Sequence, residues 1–252
     1  MPALKGIKFV TGKPALIVEA AGDEYLVVGD LHIGIELELS AKGIHLFNVT
    51  DALSNNIISI MDDFSLNNII LLGDIKNSIM RPTRAEALLI KGFFESMKDY
   101  SVFAIAGNHD THMGELTGMR MHKELVIGNY AFMHGHARPS QRAMQCDFII
   151  TAHNHAIART VQKDGSIRDE KVWIVADISK KAAKKEYESF NPSEKLIVEP
   201  AFNDMIMGRP VASWAYDRMS VLFKSGLFGL KGAKIYTLYG SRIAMSKLAR
   251  YS

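Results

Sequence analysis

Ile69-Ile70-Leu71-Leu72-Gly73-Asp74 is the stretch that decides how this chain is read. Four consecutive branched apolar residues make a short strand buried on both faces. The run stops at a glycine and a carboxylate, so a charge is set down where the strand ends. The same grammar stands on either side. Tyr25-Leu26-Val27-Val28 leads into Gly29-Asp30-Leu31-His32, and Val102-Phe103-Ala104-Ile105-Ala106 leads into Gly107-Asn108-His109-Asp110. Between these strands lie two stretches with helical spacing. Residues 48–61 carry Val49, Leu53, Ile57 and Ile60 on one side. Residues 83–97, opened by Pro82-Thr83, carry Ala87, Leu88, Phe94 and Met97. Strand, polar cluster and helix in repetition predict an α/β fold with the clusters gathered at the carboxyl ends of strands.

Outward from this centre, residues 15–18 form a further strand, joined to 25–28 through a turn containing Gly22-Asp23. The second half of the chain has a different character. Residues 124–127 and 130–133 flank Gly128-Asn129, a hairpin signal. Residues 148–151 and 171–175 add strands, with Lys163-Asp164-Gly165-Ser166 as a turn before the last. These predict a second sheet, largely antiparallel, packed against the first. Residues 200–232 are rich in Gly, Met and Phe without clear periodicity, and read as a lid or cap over a site, or as an irregular tail packed on the core.

With 252 residues, 48% of them hydrophobic and 23% charged, the chain has material for one well-cored domain over 1–252. No repeat or linker marks a boundary. A net charge of +3 tolerates a polyanionic substrate without demanding one. The single cysteine, Cys146, excludes an internal disulfide framework and a Cys-rich zinc module. Its apolar neighbours at 148–150 make it a buried structural thiol. The first residues lack the pattern of a signal peptide, and no run approaches the roughly 18 apolar residues that cross a bilayer. The expectation is a cytoplasmic protein with no membrane partner. The basic run Lys180-Lys181-Ala182-Ala183-Lys184-Lys185 reads as a solvated helix face, ahead of a nucleic-acid contact.

The polar clusters carry the chemistry. To the three already quoted the sequence adds His134-Gly135-His136 and His153-Asn154-His155. In Asp30-x-His32 two side chains one residue apart point the same way and can grasp one metal ion. Asp74 offers two carboxylate oxygens, which suits a bridge between two ions. Asn108 gives a carbonyl oxygen; His134, His153 and His155 give imidazole nitrogens. Mixed nitrogen and oxygen donors without thiolate favour Mn, Fe, Zn, Ni or Co over calcium. A pair of such ions holds a hydroxide and neutralises phosphoryl charge. His109 is placed to donate a proton to a leaving oxygen, with Asp110 orienting it. Alone, His32, His155 or Gly73-Asp74 would be ordinary features of a surface or a turn. Together and in this order they are not.

The order Asp-x-His, Gly-Asp, Gly-Asn-His-Asp, His-Gly-His, x-His-x-His resembles the calcineurin-like metallophosphoesterases over residues 25–155. The resemblance implies a four-layer αββα sandwich of two mixed sheets with a two-metal site at one edge. It implies that Asp30, His32, Asp74 and His155 bind the first ion and that Asp74, Asn108, His134 and His153 bind the second. His109 would be the catalytic histidine. Two positions depart from the commoner motif: Gly73-Asp74-Ile75-Lys76-Asn77 lacks a second Asp, and Ala152 precedes His153-Asn154-His155 where Gly is usual. The Gly-Asp-x-Lys variant, His-Gly-His-x-x-Pro at 134–139 and Pro200-Ala201-Phe202-Asn203 look like a subgroup of predicted phosphoesterases common in archaea. Bacterial relatives of that subgroup are associated with DNA ligase and helicase genes.

The expected function is a dinuclear metal-dependent phosphoesterase, manganese being the first choice of ion. It would cleave a phosphomonoester or phosphodiester, with nucleic acid or nucleotides as the candidate partner. Lys76, His136, Arg138 and Asn203 are the candidate substrate contacts. The rivals are a small-molecule phosphatase, a cyclic-nucleotide phosphodiesterase, and a scaffold protein that keeps the fold without the chemistry.

Overall fold

The computed structural model describes residues 2–216 and 221–249. Its first sheet has six strands among the described residues, side by side in sequence order: β1 (Ile7–Phe9), β2 (Leu16–Ala20), β3 (Asp23–Val28), β4 (Asn68–Leu71), β5 (Ser101–Ile105) and β6 (Met121–His122). The first three form an antiparallel meander, and β3 to β6 run parallel. Parallel neighbours need crossovers, and the helices supply them. α1 (Ile35–Ala41) and α2 (Val49–Asp63) link β3 to β4; α3 (Arg84–Ser96) links β4 to β5; α4 (Met113–Thr117) links β5 to β6. Val28 pairs with Leu71 and Leu71 with Ala104, so the three strand ends stand level.

α2 turns Leu53, Ile57 and Ile60 inward, as its spacing predicts. α3 begins after Thr83, whose hydroxyl accepts the Glu86 N–H at 3.2 Å. Its buried face differs from the expected one: Glu86, Ile90, Phe93 and Met97 point inward, while Leu88 is exposed. The helix is rotated because the Glu86 carboxylate is needed inside, where it accepts the Ser78 N–H at 2.9 Å.

The second sheet comprises β7 (Leu125–Ile127), β8 (Tyr130–Phe132), β9 (Phe148–Thr151), β10 (Ala156–Val161), β11 (Ile167–Asp177), β12 (Lys195–Val198), β13 (Arg209–Pro210), β14 (Lys234–Thr237) and β15 (Arg242–Ile243). Its order is β13-β10-β11-β12-β9-β8-β7, with β14 between β11 and β15. The hairpin at Gly128-Asn129 forms between β7 and β8. Most pairings are antiparallel, but β9 runs parallel to both β8 and β12. That parallel trio brings the ends of β8 and β9 to one edge.

Period-two alternation divides the core into layers. Between the sheets, Val27, Ile70 and Leu72 meet Phe132, Ile150 and Trp173. On the outer face of the first sheet, Leu26, Val28, Ile69 and Leu71 pack under α2 and α3. On the outer face of the second, Ile149, Ile174 and Leu196 pack under α5 (Lys180–Glu186), α6 (Val221–Lys224) and the turn carrying Trp214. The result is the four-layer αββα sandwich. The lysines of α5 are exposed and its Ala183 is buried, so the basic run is a solvated face. Cys146 is buried.

The segment 200–232 divides in two. Trp214, Leu222, Phe223, Leu227 and Phe228 belong to the outer core, while residues 202–209 run along the edge where the polar clusters lie. Residues 217–220 of it lie outside the described residues. No helix among the described residues is long and apolar enough to cross a membrane.

Candidate metal centre

The polar clusters follow β3, β4, β5, β8 and β9, and the level ends of these strands bring them to one edge of the sandwich. Backbone hydrogen bonds tie the loops together: Asp30 N–H to Gly73 O, His32 N–H to Asp74 O and Ala152 N–H to His134 O, at 2.9–3.1 Å. Across the sheets, the His153 N–H donates to the Asp30 carboxylate at 3.1 Å. Five residues here have left-handed backbone: Asp30 (φ 55°), His32 (φ 45°), Asp74 (φ 47°), His153 (φ 66°) and His155 (φ 44°). Each such non-glycine residue costs on the order of 1–3 kcal/mol and persists only where its surroundings enforce it. Glycines make the approach close enough. A Cβ on Gly73 would stand 2.5 Å from His134 Nδ1, and one on Gly107 would fall onto the backbone N and Oδ1 of Asp74.

Asp30, His32, Asp74 and His155 form one group of donors, and Asp74, His134 and His153 a second, with ligand atoms in each within 4.8 Å of one another. Asp74 is common to both. Its Oδ2 stands 3.2 Å from His134 Nε2 and 3.8 Å from His32 Nε2. Each group could hold a metal ion, and the donor chemistry fits one. Imidazole nitrogens face each other at 3.4 Å (His32 Nε2 and His155 Nε2) and at 3.1 Å (His153 Nδ1 and His134 Nε2). His134 donates its Nδ1–H to Leu72 O at 2.9 Å, which turns Nε2 toward the edge. The Asn108 Oδ1 is buried without a hydrogen-bond partner, beside a His109 N–H that donates to Asp74 Oδ1. A cation satisfies a buried oxygen of this kind.

The electrostatics agree. Burial pushes the Asp74 carboxyl up, but the hydrogen bond and charge of His134 outweigh it and hold the group well below the usual carboxylate range. For His134 burial works downward, and the Asp74 hydrogen bond and charge reverse it, raising the imidazole to about 9, so an ion bound at this ring would displace a proton. Burial lowers His32 to about 4 and His153 to about 3, so both keep neutral rings. Ionised carboxylates and neutral imidazoles are the forms that bind metal.

The remaining site residues take places that the sequence did not foretell. Asp110 does not turn to His109. Its Oδ1 accepts the N–H groups of Ile75 and Lys76 at 2.8 and 3.1 Å, and its Oδ2 that of Gly107 at 2.8 Å. It ties the loop after β4 to the loop after β5. His109 instead donates its Nδ1–H to the backbone carbonyl of Asn77 at 2.5 Å, with Nε2 3.9 Å from Asp74 Oδ2. Lys76 is fully buried, and its ammonium is taken up by the carbonyls of Ser78 and Met80. Asn203 is buried too: its amide donates to Leu31 O at 2.7 Å and accepts the Met205 N–H. It braces the Asp30–His32 loop from behind. His136 is exposed beside His134 and His153, its ring 5.4 and 6.1 Å from theirs. Arg138 is exposed and paired with Glu186 at 2.7 Å.

Two groups escaped the sequence reading altogether. One is the Asn77 carbonyl, which no side-chain pattern announces. The other is Glu199, fully buried with neither carboxylate oxygen bonded. Burial, then the charge of Asp30, holds it protonated well above the ordinary range. Leu196-Ile197-Val198-Glu199 has the same form as Val27-Val28-Gly29-Asp30, an apolar strand running into a carboxylate, and that signal was available.

No protein-family model and no curated protein matches the sequence. Among solved structures, that of the nuclease MPE of Pseudomonas putida is similar, with a TM-score of 0.57 at 14% identity over 91% of this chain and 100% of that one. It shows that the two chains share a fold. Weaker likenesses are to YfcE, a phosphoesterase of E. coli (TM-score 0.35, 14% identity, 55% of this chain and 73% of that one), and to a predicted phosphoesterase of Streptococcus pneumoniae (TM-score 0.32, 9% identity, 88% and 92%).

Proposed function

We propose that the chain is a cytoplasmic, metal-dependent phosphoesterase that hydrolyses phosphomonoester or phosphodiester bonds, with diesters of nucleic acid or nucleotides as the favoured class. One observation carries the reading: six carboxylate and imidazole side chains gather in two groups that share Asp74, five of those side chains on left-handed backbone. Asp30, His32, Asp74 and His155 would hold one divalent ion; Asp74, Asn108, His134 and His153 would hold a second. When bound, such a pair, with manganese the first choice, neutralises phosphoryl charge and lowers the pKa of an attacking water.

The chain's own residues do the rest. His109, anchored through Nδ1, presents Nε2 to the edge and protonates the leaving oxygen as the P–O bond breaks. Asp110 keeps the Asp74 and Asn108 loops in register. His136 stands at the rim to meet a phosphoryl oxygen. A cleft of about 390 Å³ between the β1–β2 turn, the start of α2 and residues 202–205 lies at the same end of the first sheet, lined by Lys13, Phe47, Val49 and Met205 among others. It is proposed to take the organic part of the ester, with residues 203–209 bordering its approach. The nuclease named among the similar structures favours a nucleic-acid diester over a small monoester.

The test is turnover of bis-p-nitrophenyl phosphate, p-nitrophenyl phosphate and single- and double-stranded DNA and RNA with added manganese, zinc, nickel or cobalt. Asp74→Ala should lose about 10²-fold or more on every ester, and His109→Ala about 10²-fold or more on DNA and RNA, whose leaving oxygen needs a proton. A folded protein that turns over none of these esters with any of the ions sinks the reading in favour of a scaffold.

A further inference from the structure

The loop after β4 carries a buried cation that the proposed reaction does not use. Lys76 donates from its ammonium to Ser78 O and, at 2.9 Å, to Met80 O. A buried ammonium is costly unless it is hydrogen-bonded and set against opposite charge. The charge is Glu86, buried in the first turn of α3, which accepts both the N–H (2.9 Å) and the hydroxyl (2.5 Å) of Ser78. Residue 78 is therefore gripped twice, by a cation on its carbonyl and by a carboxylate on its N–H and hydroxyl. Its neighbour Asn77 is fixed as well, with its N–H on Ile33 O at 2.9 Å and its amide on Glu38 at 2.8 Å. What all this presents to the metal edge is one atom, the Asn77 carbonyl oxygen, on the Nδ1–H of His109.

We infer that Lys76 and Glu86 form a clamp that holds the Asn77 carbonyl against His109 and so aims its Nε2 at the leaving oxygen. Lys76 is thus a positioning residue acting through His109. A backbone carbonyl fixes the ring as a carboxylate would, but it brings no negative charge to offset a positive imidazole. A neutral carbonyl cannot be steered by its own side chain, so the loop behind it must be rigid. A buried ammonium and a buried carboxylate, each bonded to Ser78, make it so.

The inference rests on His109 being the proton donor, and the experiment separates the two. Lys76→Met should lower kcat about 30-fold or more on phenyl phosphodiesters, whose leaving group needs a proton, and less than about 3-fold on p-nitrophenyl diesters, whose leaving group does not. KM and bound metal should be unchanged, and Lys76→Met introduced into His109→Ala should cost nothing further. Independently of turnover, the zinc-loaded protein should show a downfield, exchange-protected Nδ1–H proton of His109 by NMR, and Lys76→Met should lose it. Retention of that proton, or an unchanged ratio between the two esters, overturns the clamp. Should Lys76→Met not fold, Ser78→Ala cuts only the bonds from the Ser78 hydroxyl to Glu86 and to Met80 O, and the same two measurements on it decide for or against the clamp. A wild-type protein that cleaves no ester would sink the phosphoesterase reading, and the proton signal would still decide the clamp.

Discussion

Asp30, His32, Asp74, His153 and His155 turn the backbone through a conformation that glycine adopts freely and other residues resist. Nothing in local packing asks for a carboxylate or an imidazole at these corners. The side chains are there for what they reach. Gly107 complements them: its φ is ordinary, so an alanine there would meet no backbone strain, yet its Cβ would land on Asp74. Gly107→Ala should therefore weaken metal binding about 10–100-fold, as when a ligand loses its support, with a matching loss of turnover. Titration with manganese followed calorimetrically measures it. Undiminished affinity would mean that Asp74 has slack the structure does not show. Asp110→Ala makes a different prediction. It strips the acceptor from three backbone N–H groups and should cost about 2 kcal/mol or more of stability, read from urea unfolding. The sequence singled out both residues' neighbours as a candidate site, and the fold brings them together. It misassigned Asp110's contact, because adjacency to His109 suggested a side-chain pair where the fold required a backbone tie.

At the scale of elements, legibility followed local signal. Strands such as Ile69-Ile70-Leu71-Leu72, and the turn at Gly128-Asn129, are written in a few adjacent residues, and the structure has them within a residue or so. Thr83 announced α3 as a cap, and Thr83→Ala should cost about 1 kcal/mol, measurable as a lower urea midpoint with unchanged cooperativity. A change near zero would show that the helix start is held by Glu86 alone. The misjudged face of α3 has a tertiary cause, since Glu86 is drawn inward by Ser78. β12 and β14 carry no comparable local mark. They pair with strands far along the chain, β12 with β9 and β14 with β11, so only the assembled sheet selects them. The gathering of Asp and His side chains was legible for the opposite reason: each cluster is written in two to four adjacent residues at the end of an apolar run.

For the whole molecule, the packing of two sheets and two outer layers leaves acidic groups stranded inside. Glu194, between α5 and β12, is fully buried with both carboxylate oxygens unbonded, and burial raises it to about 8. It lies near Cys146, whose thiol burial and this carboxyl raise to about 11, and near Tyr187. Glu199, raised well above its ordinary value, adds a second case of the same sign. Between about pH 4.5 and 8 the folded protein keeps a proton on Glu194 that the unfolded chain has released. The folded state thus binds more protons, and stability falls as pH rises across that window and levels above it. At about 1.4 kcal/mol per unit, the Glu194 share is on the order of 3–5 kcal/mol. Glu194→Gln cannot ionise, so its urea-unfolding free energy should decline less steeply than wild type from about pH 5 to 9, with the two curves separating by a few kcal/mol at the alkaline end. Glu194 is far in sequence from the proposed metal ligands and bonds to none of them, so turnover at neutral pH should be unaffected. Parallel stability curves for the two proteins would show that the carboxyl finds solvent or a partner in the folded state, and that the layer between α5 and the second sheet is wetter than its packing indicates.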